Sequence, residues 1–180
     1  MNIKFIYSTS YDKSLNYMGK IVPKYIIMIK IGLLTYFWKK NQNIIEKILN
    51  EIANLSFKKE ELFCNLNSVS SMSNPFSIKF EKISFMKDNL IHELIHIILT
   101  QNNIAETKGW KQIQQDFKNE TVTTRNHILI HALHYLFLMK FNPSRKKYIM
   151  NYSQNIDYIR SWNIVNKIGA QNIVDSYITR

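Results

Sequence analysis

The run His92-Glu93-Leu94-Ile95-His96 holds the residues of this chain whose types and spacing most clearly point to chemistry. On a helix, side chains four positions apart stand on one face, so both imidazoles can reach a single metal ion at about 2.1 Å. Glu93 emerges on the flank of that face, where a carboxylate can hold a water beside the ion without binding the ion itself. The chain has 5 histidines, and all fall in two stretches, His92 and His96 in the first and His127, His131 and His134 in the second. A hydrolytic Zn²⁺ site takes three protein ligands and leaves one position open. Glu120 is the first choice for the third ligand, with His127 and Glu106 as the alternatives. If one helix runs from Asn119 onward, then Glu120, Thr124, His127, His131 and His134 lie along one stripe of it. Whichever of His127 and His131 does not bind metal is then placed to donate a hydrogen bond to an oxyanion. Asp88, one turn before His92, is a candidate for capping the helix or for orienting the His92 ring.

These groups need elements to hold them. Leu90, Ile91, Leu94, Ile95, Ile98 and Leu99 recur at helical spacing around the first pair, and Asn102-Asn103 is a natural stop. A second long helix is expected from about Asn119 to Phe141, ended by Pro143. Upstream, Ile3 to Ser8 alternates like a strand, and Asn43 to Leu55 is an amphipathic helix. Pro23 to Trp38 fits either a strand or a buried helix. Leu62 to Val69 and Pro75 to Phe80 read as strands joined by a serine-rich loop, which suggests a small antiparallel sheet. The tail carries helical patterns over Ile156 to Ile168 and Ala170 to Ile178, divided by Gly169.

The motif His92-Glu93-Leu94-Ile95-His96, followed by Asn119-Glu120 at the head of a second helix, resembles the gluzincin branch of the zincin metallopeptidases, closest to its minimal single-domain members. The resemblance covers roughly Asn74 to His134. It implies His92, His96 and Glu120 as zinc ligands, Glu93 as general base, and a strand edge above the helix that receives an extended peptide. The implied activity is zinc-dependent peptide hydrolysis on a peptide or protein substrate. Two positions depart from related patterns. Thr124 stands where the thermolysin-like group has an aspartate, and Asn102 stands where a metzincin has its third histidine. The implied fold is α+β and mainly helical, a zincin-like domain with the small antiparallel sheet over the active-site helix and a second ligand-bearing helix. One domain over residues 1–180 is expected, with the sheet and packing helices in 1–80, the metal-site helices in 81–141 and a helical tail in 142–180. That tail, from Lys146 on, is long enough to lie across a cleft.

Composition sets the outer bounds. With 46% hydrophobic and 13% aromatic residues the chain is no disordered segment, and 4 Gly with 3 Pro argue against a many-turned β-sandwich. Cys64 is the lone cysteine, so no internal disulfide forms and a reducing, cytoplasmic setting is expected. No stretch has the roughly 18 apolar residues of a spanning helix, so a soluble chain with no membrane partner is expected. Lys and Arg number 24 against 13 acids, a net +11 with a pI near 9.6, which raises the prospect of an anionic partner. The competing functional reading is accordingly a basic nucleic-acid-binding or regulatory protein with a structural or vestigial metal site. It rests on Tyr148, Tyr152 and Tyr158 among Arg145, Lys146, Lys147 and Arg160.

Overall fold

The structure is a computed structural model that describes residues 1–15, 22–145 and 155–178. It is mainly helical, with one small sheet. The elements are β1 (Asn2–Ile6), α1 (Thr9–Leu15), α2 (Lys24–Ala53), β2 (Glu61–Asn67), β3 (Met72–Ser73), β4 (Phe76–Lys79), α3 (Ile83–Gln101), α4 (Lys108–Asp116), α5 (Val122–Phe141), α6 (Ile156–Ile168) and α7 (Ala170–Tyr177). The chain divides into two compact units, Met1–Ile44 with Phe57–Leu94, and Ile45–Ser56 with Ile95–Arg180. Of the three division points, two fall inside helices, α2 and α3, and the third falls between α2 and β2.

In the first unit the sheet order is β1-β2-β4-β3. β1 pairs with β2 in parallel, and so does β4, while only the two-residue β3 runs antiparallel, against β4. The sheet is therefore mixed, where an antiparallel one was expected. The hairpin chemistry between Leu62 and Phe80 is real, but it serves β3 and β4 and not β2 and β4. Asn67 fixes the loop that follows β2: its Oδ1 accepts from Val69 N (2.8 Å) and Ser70 N (2.9 Å), and its Nδ2 donates to Ser70 O (2.7 Å). The strand expected to be an open edge, β4, is covered along that edge by β3 and by Ser71, whose Oγ accepts from Lys79 N. β1 alternates as read from the sequence, with Ile3 and Phe5 buried and Asn2, Lys4 and Ile6 exposed. Leu62, Cys64, Leu66, Phe76 and Ile78 of the sheet, Ile27, Leu34 and Trp38 of α2, and Met86, Leu90, Ile91 and Leu94 of α3 supply the buried apolar groups of this unit.

The second unit is helical. α5 packs against α6 and α7, and α4 packs against α7. Of the residues Thr124 to Leu138 in α5, those at 127 through 134 are all buried, so the helix carries no wet face over that stretch. α3 ends where expected: Asn103 adopts the left-handed conformation (φ 54°) and Asn102 Nδ2 donates to Ile98 O (2.8 Å) and Ser56 O (2.9 Å). Gly169 takes φ 94° between α6 and α7, a conformation that a β-carbon disfavours. α3 begins at Ile83, so Asp88 lies inside the helix and does not cap it. Among the described residues, no helix is long and apolar enough to cross a membrane.

Gly109 of α4 has no room for a side chain, because a β-carbon there would stand 1.9 Å from the backbone carbonyl oxygen of Tyr177 in α7. Gly109→Ala should cost about 3 kcal/mol of unfolding free energy and loosen α7 first. Urea unfolding monitored together with amide exchange in Ala170–Tyr177 checks both parts.

Candidate metal centre

α3 brings His92 and His96 onto one face, one turn apart along an unbroken helix. α5 brings His127 to the same place. One ring nitrogen from each of these three histidines lies within 4.8 Å of the other two. The His127 Nδ1–H donates to Thr123 O at 2.8 Å, which fixes the tautomer and leaves Nε2 as the nitrogen that can serve as a ligand. The His96 and His127 rings meet edge to face, with centroids 5.2 Å apart.

Burial sets the charge state of this cluster. Desolvation lowers the His96 pKa to about 4, with the neighbouring His127 adding to the effect. His127 is also lowered by burial, partly opposed by its bond to Thr123 O and by the charge of Asp157. Both rings are therefore neutral at pH 7, which is the form that binds metal. Imidazole donors suit zinc and other borderline cations. The donor set fits a divalent ion.

Glu120 stands elsewhere. Thr121 is the N-cap of α5, its Oγ1 accepting from Thr124 N (3.1 Å), so the helix begins at Val122 and Glu120 precedes it. Off the helix, Glu120 does not share the stripe of His127 and His131. Its carboxylate is gripped by Arg160 of α6, Nε to both oxygens at 3.0 Å and one terminal nitrogen to Oε1 at 2.5 Å, and this pairing lowers its pKa. Glu106 is exposed in the short 3₁₀ turn over Ile104–Glu106. The place expected for Glu120 beside the histidine pair is taken by His127, which moves His127 from oxyanion donor to ligand position.

No family model, curated protein or solved structure matches this chain.

Around the triad, α6 supplies Tyr158, Ser161 and Trp162, none of them expected at a metal site. Tyr158 lays its ring 4.2 Å from the His127 ring, and Trp162 stacks on His131 at 4.3 Å and 8°. Ser161 Oγ donates to Tyr158 O (3.0 Å) and lies 2.7 Å from His131 Nδ1. A hydroxyl has one proton, so both contacts are satisfied when Nδ1–H of His131 donates to Ser161 and Nε2 carries the lone pair. Thr124, where the thermolysin-like group has an aspartate, meets an aspartate of another helix. Its Oγ1 donates to Asp157 Oδ1 at 3.0 Å, as does Thr121 Oγ1 at 2.6 Å. The helical spacing of Tyr158, Ser161 and Trp162 was the one signal that could have pointed to this wall.

Glu93 is 6% exposed, and burial raises its carboxyl pKa to about 8. Its charge in turn helps to push up the thiol of Cys64 on β2, whose own burial is the larger cause.

His131 and His134 give a pH test. Burial holds His131 well below its ordinary pKa and brings His134 to about 3, against 6.5 in an unfolded chain. Below pH 6.5 the unfolded chain takes up protons that the folded one does not, so stability is full above 6.5 and falls as the pH approaches 3. Each such histidine contributes a slope of about 1.4 kcal/mol per pH unit. Urea midpoints of metal-stripped protein should fall between pH 7 and pH 5, and a flat profile would contradict this account of the buried rings.

Proposed function

We propose that this chain is a zinc-dependent metallopeptidase whose ion is held by His92, His96 and His127. The observation that carries the reading is the convergence of those three histidines from two helices, with Glu93 next to the first of them. An ion such as zinc held there supplies a Lewis acid that acidifies water and polarises a carbonyl group. A peptide bond is the favoured substrate because of the likeness of His92-Glu93-Leu94-Ile95-His96 to the zincin motif.

The protein's own groups do the rest. Burial raises the Glu93 carboxyl to a pKa of about 8, so in the metal-free chain it holds its proton at pH 7. A cation held by the three histidines would favour its carboxylate, the form that takes the proton of the attacking water. Glu93 then returns that proton to the departing amine nitrogen. The Thr123 carbonyl holds the His127 ring in the orientation that turns Nε2 away from the backbone. His131, hydrogen-bonded to Ser161 and stacked on Trp162, is a fixed neutral ring that lines the site beside His127.

The nucleic-acid reading draws on Lys146, Lys147, Tyr148 and Tyr152, which lie outside the described residues. Of its other members, Tyr158 packs on His127 and Arg160 grips Glu120, so both already serve internal contacts.

Metal analysis of purified variants tests the ligand set. His92→Ala, His96→Ala and His127→Ala should each weaken zinc binding by roughly 100-fold or more, while Glu120→Ala should retain the metal. Loss of zinc from Glu120→Ala with retention in His127→Ala would reverse the assignment. Glu93→Gln should keep the metal and lose hydrolysis of a denatured protein mixture, because an amide cannot accept the proton. Undiminished hydrolysis would place the base elsewhere.

A further inference from the structure

The first half of α2 has two apolar faces. At 3.6 residues per turn, Ile27, Leu34, Trp38 and Ile45 form one stripe, and all four are buried. Tyr25, Ile29, Leu33 and Tyr36 form the opposite stripe with Met28 at its border, and these five are between 46% and 68% exposed. An outward helix face normally carries charged and polar groups, as this helix does from Lys39 onward with Lys39, Lys40, Asn43 and Lys47. The outward apolar stripe spans about 17 Å of helix axis. At its centre sits Gly32, whose missing side chain would meet nothing within 4 Å, so the packing of this chain does not demand a glycine there.

Charge says what covers the stripe. From residue 13 to residue 45 the sequence contains six lysines, Lys13, Lys20, Lys24, Lys30, Lys39 and Lys40, and no acid. Lys30 turns inward and donates to Glu81 O, whereas Lys24, Lys39 and Lys40 are exposed at the two ends of the stripe. Lys40 stands 6.0 Å over the ring of Tyr36. A second copy docking antiparallel about Gly32 would set Lys24 against Lys40, like charge on like charge. An anionic lipid surface meets the same lysines with opposite charge, takes the apolar side chains into its acyl boundary, and suits tyrosines at the headgroup level.

We propose that the Tyr25 to Tyr36 face of α2 is a peripheral docking surface for anionic membranes, on which the helix lies parallel to the bilayer plane. Lying on a bilayer differs from crossing it, and needs neither the length nor the uniform hydropathy of a spanning helix.

The test is cosedimentation of the full chain with vesicles of phosphatidylcholine alone, or of phosphatidylcholine containing about 30% phosphatidylglycerol. The protein should sediment with the anionic vesicles, stay in solution with the neutral ones, and be released by high salt. Ile29→Glu with Leu33→Glu should weaken vesicle binding by about tenfold or more, and so should Lys39→Gln with Lys40→Gln. All four positions face solvent, and an unchanged thermal midpoint and metal content would show that the variants fold. Failure of the native chain to bind anionic vesicles would overturn the proposal, as would undiminished binding by the glutamate variant. A concentration-dependent dimer that the glutamate variant dissolves, without vesicle binding, would assign the face to a second copy and overturn it equally.

Discussion

Taking imidazole out of water is the constraint on which the rest of this structure turns. A buried ring is costly to protonate, so His96, His127, His131 and His134 are all held below their ordinary pKa, and each enters the interior as a neutral group. A neutral imidazole has one N–H and one lone pair, and the N–H needs an acceptor. Where the structure provides one, it decides which nitrogen is left. Thr123 O takes the N–H of His127, and Ser161 takes that of His131. The same burial acts in the opposite direction on Glu93, raising its pKa where it lowers theirs, because for a carboxyl the charged form is the basic one. One physical cause thus lowers the pKa of His96 and raises that of Glu93, three residues apart on α3.

The approach of α6 to α5 is where polar interactions complete the wall around His127. Asp157, in the first turn of α6, takes hydrogen bonds from Thr121 and Thr124, in a place where the helix N-terminus also favours an anion. Beside it, Arg160 clasps Glu120 in a bidentate pair. These contacts fix the rotation of α6 about its axis, and that rotation sets Tyr158 over His127 and Trp162 against His131. An acid that seemed suited to metal from its spacing instead holds down the helix that covers the histidines. The Arg160 pair is partly exposed and adds little to stability by itself. Its role is geometric.

What could be read from the sequence follows the range of the interaction that decides it. The pairing of His92 with His96 depends only on helical pitch and was legible. The third member of the cluster depends on where α5 starts, and a start at Asn119 in place of Val122 was enough to put Glu120 on the wrong stripe. Thr121, two residues beyond Asn119, is the residue that caps the helix, its Oγ1 accepting from Thr124 N. Strand direction left no trace, because alternation has period two whichever way a strand runs. The short serine-rich connection between β2 and β4 suggested a hairpin, and β3 occupies that connection. The groups of α6 were hidden because their role depends on tertiary docking across more than 20 residues of chain.

The ambiguity of Pro23 to Trp38 has a different origin. A helix that packs on one side and meets water on the other shows a 3.6-residue period, whereas a helix apolar on both sides shows none, and its sequence reads as well for a strand. The stretch was ambiguous because Tyr25, Ile29, Leu33 and Tyr36 face outward in α2 with the same character as the core residues behind them. The missing period therefore reports a second apolar surface. In the later turns, where Lys39, Lys40, Asn43 and Lys47 supply the polar face, the period returns, and Asn43 to Leu55 could be recognised as a helix without a structure. Loss of amphipathic patterning and the outward apolar stripe are one fact seen at two levels, and both end at the same lysines.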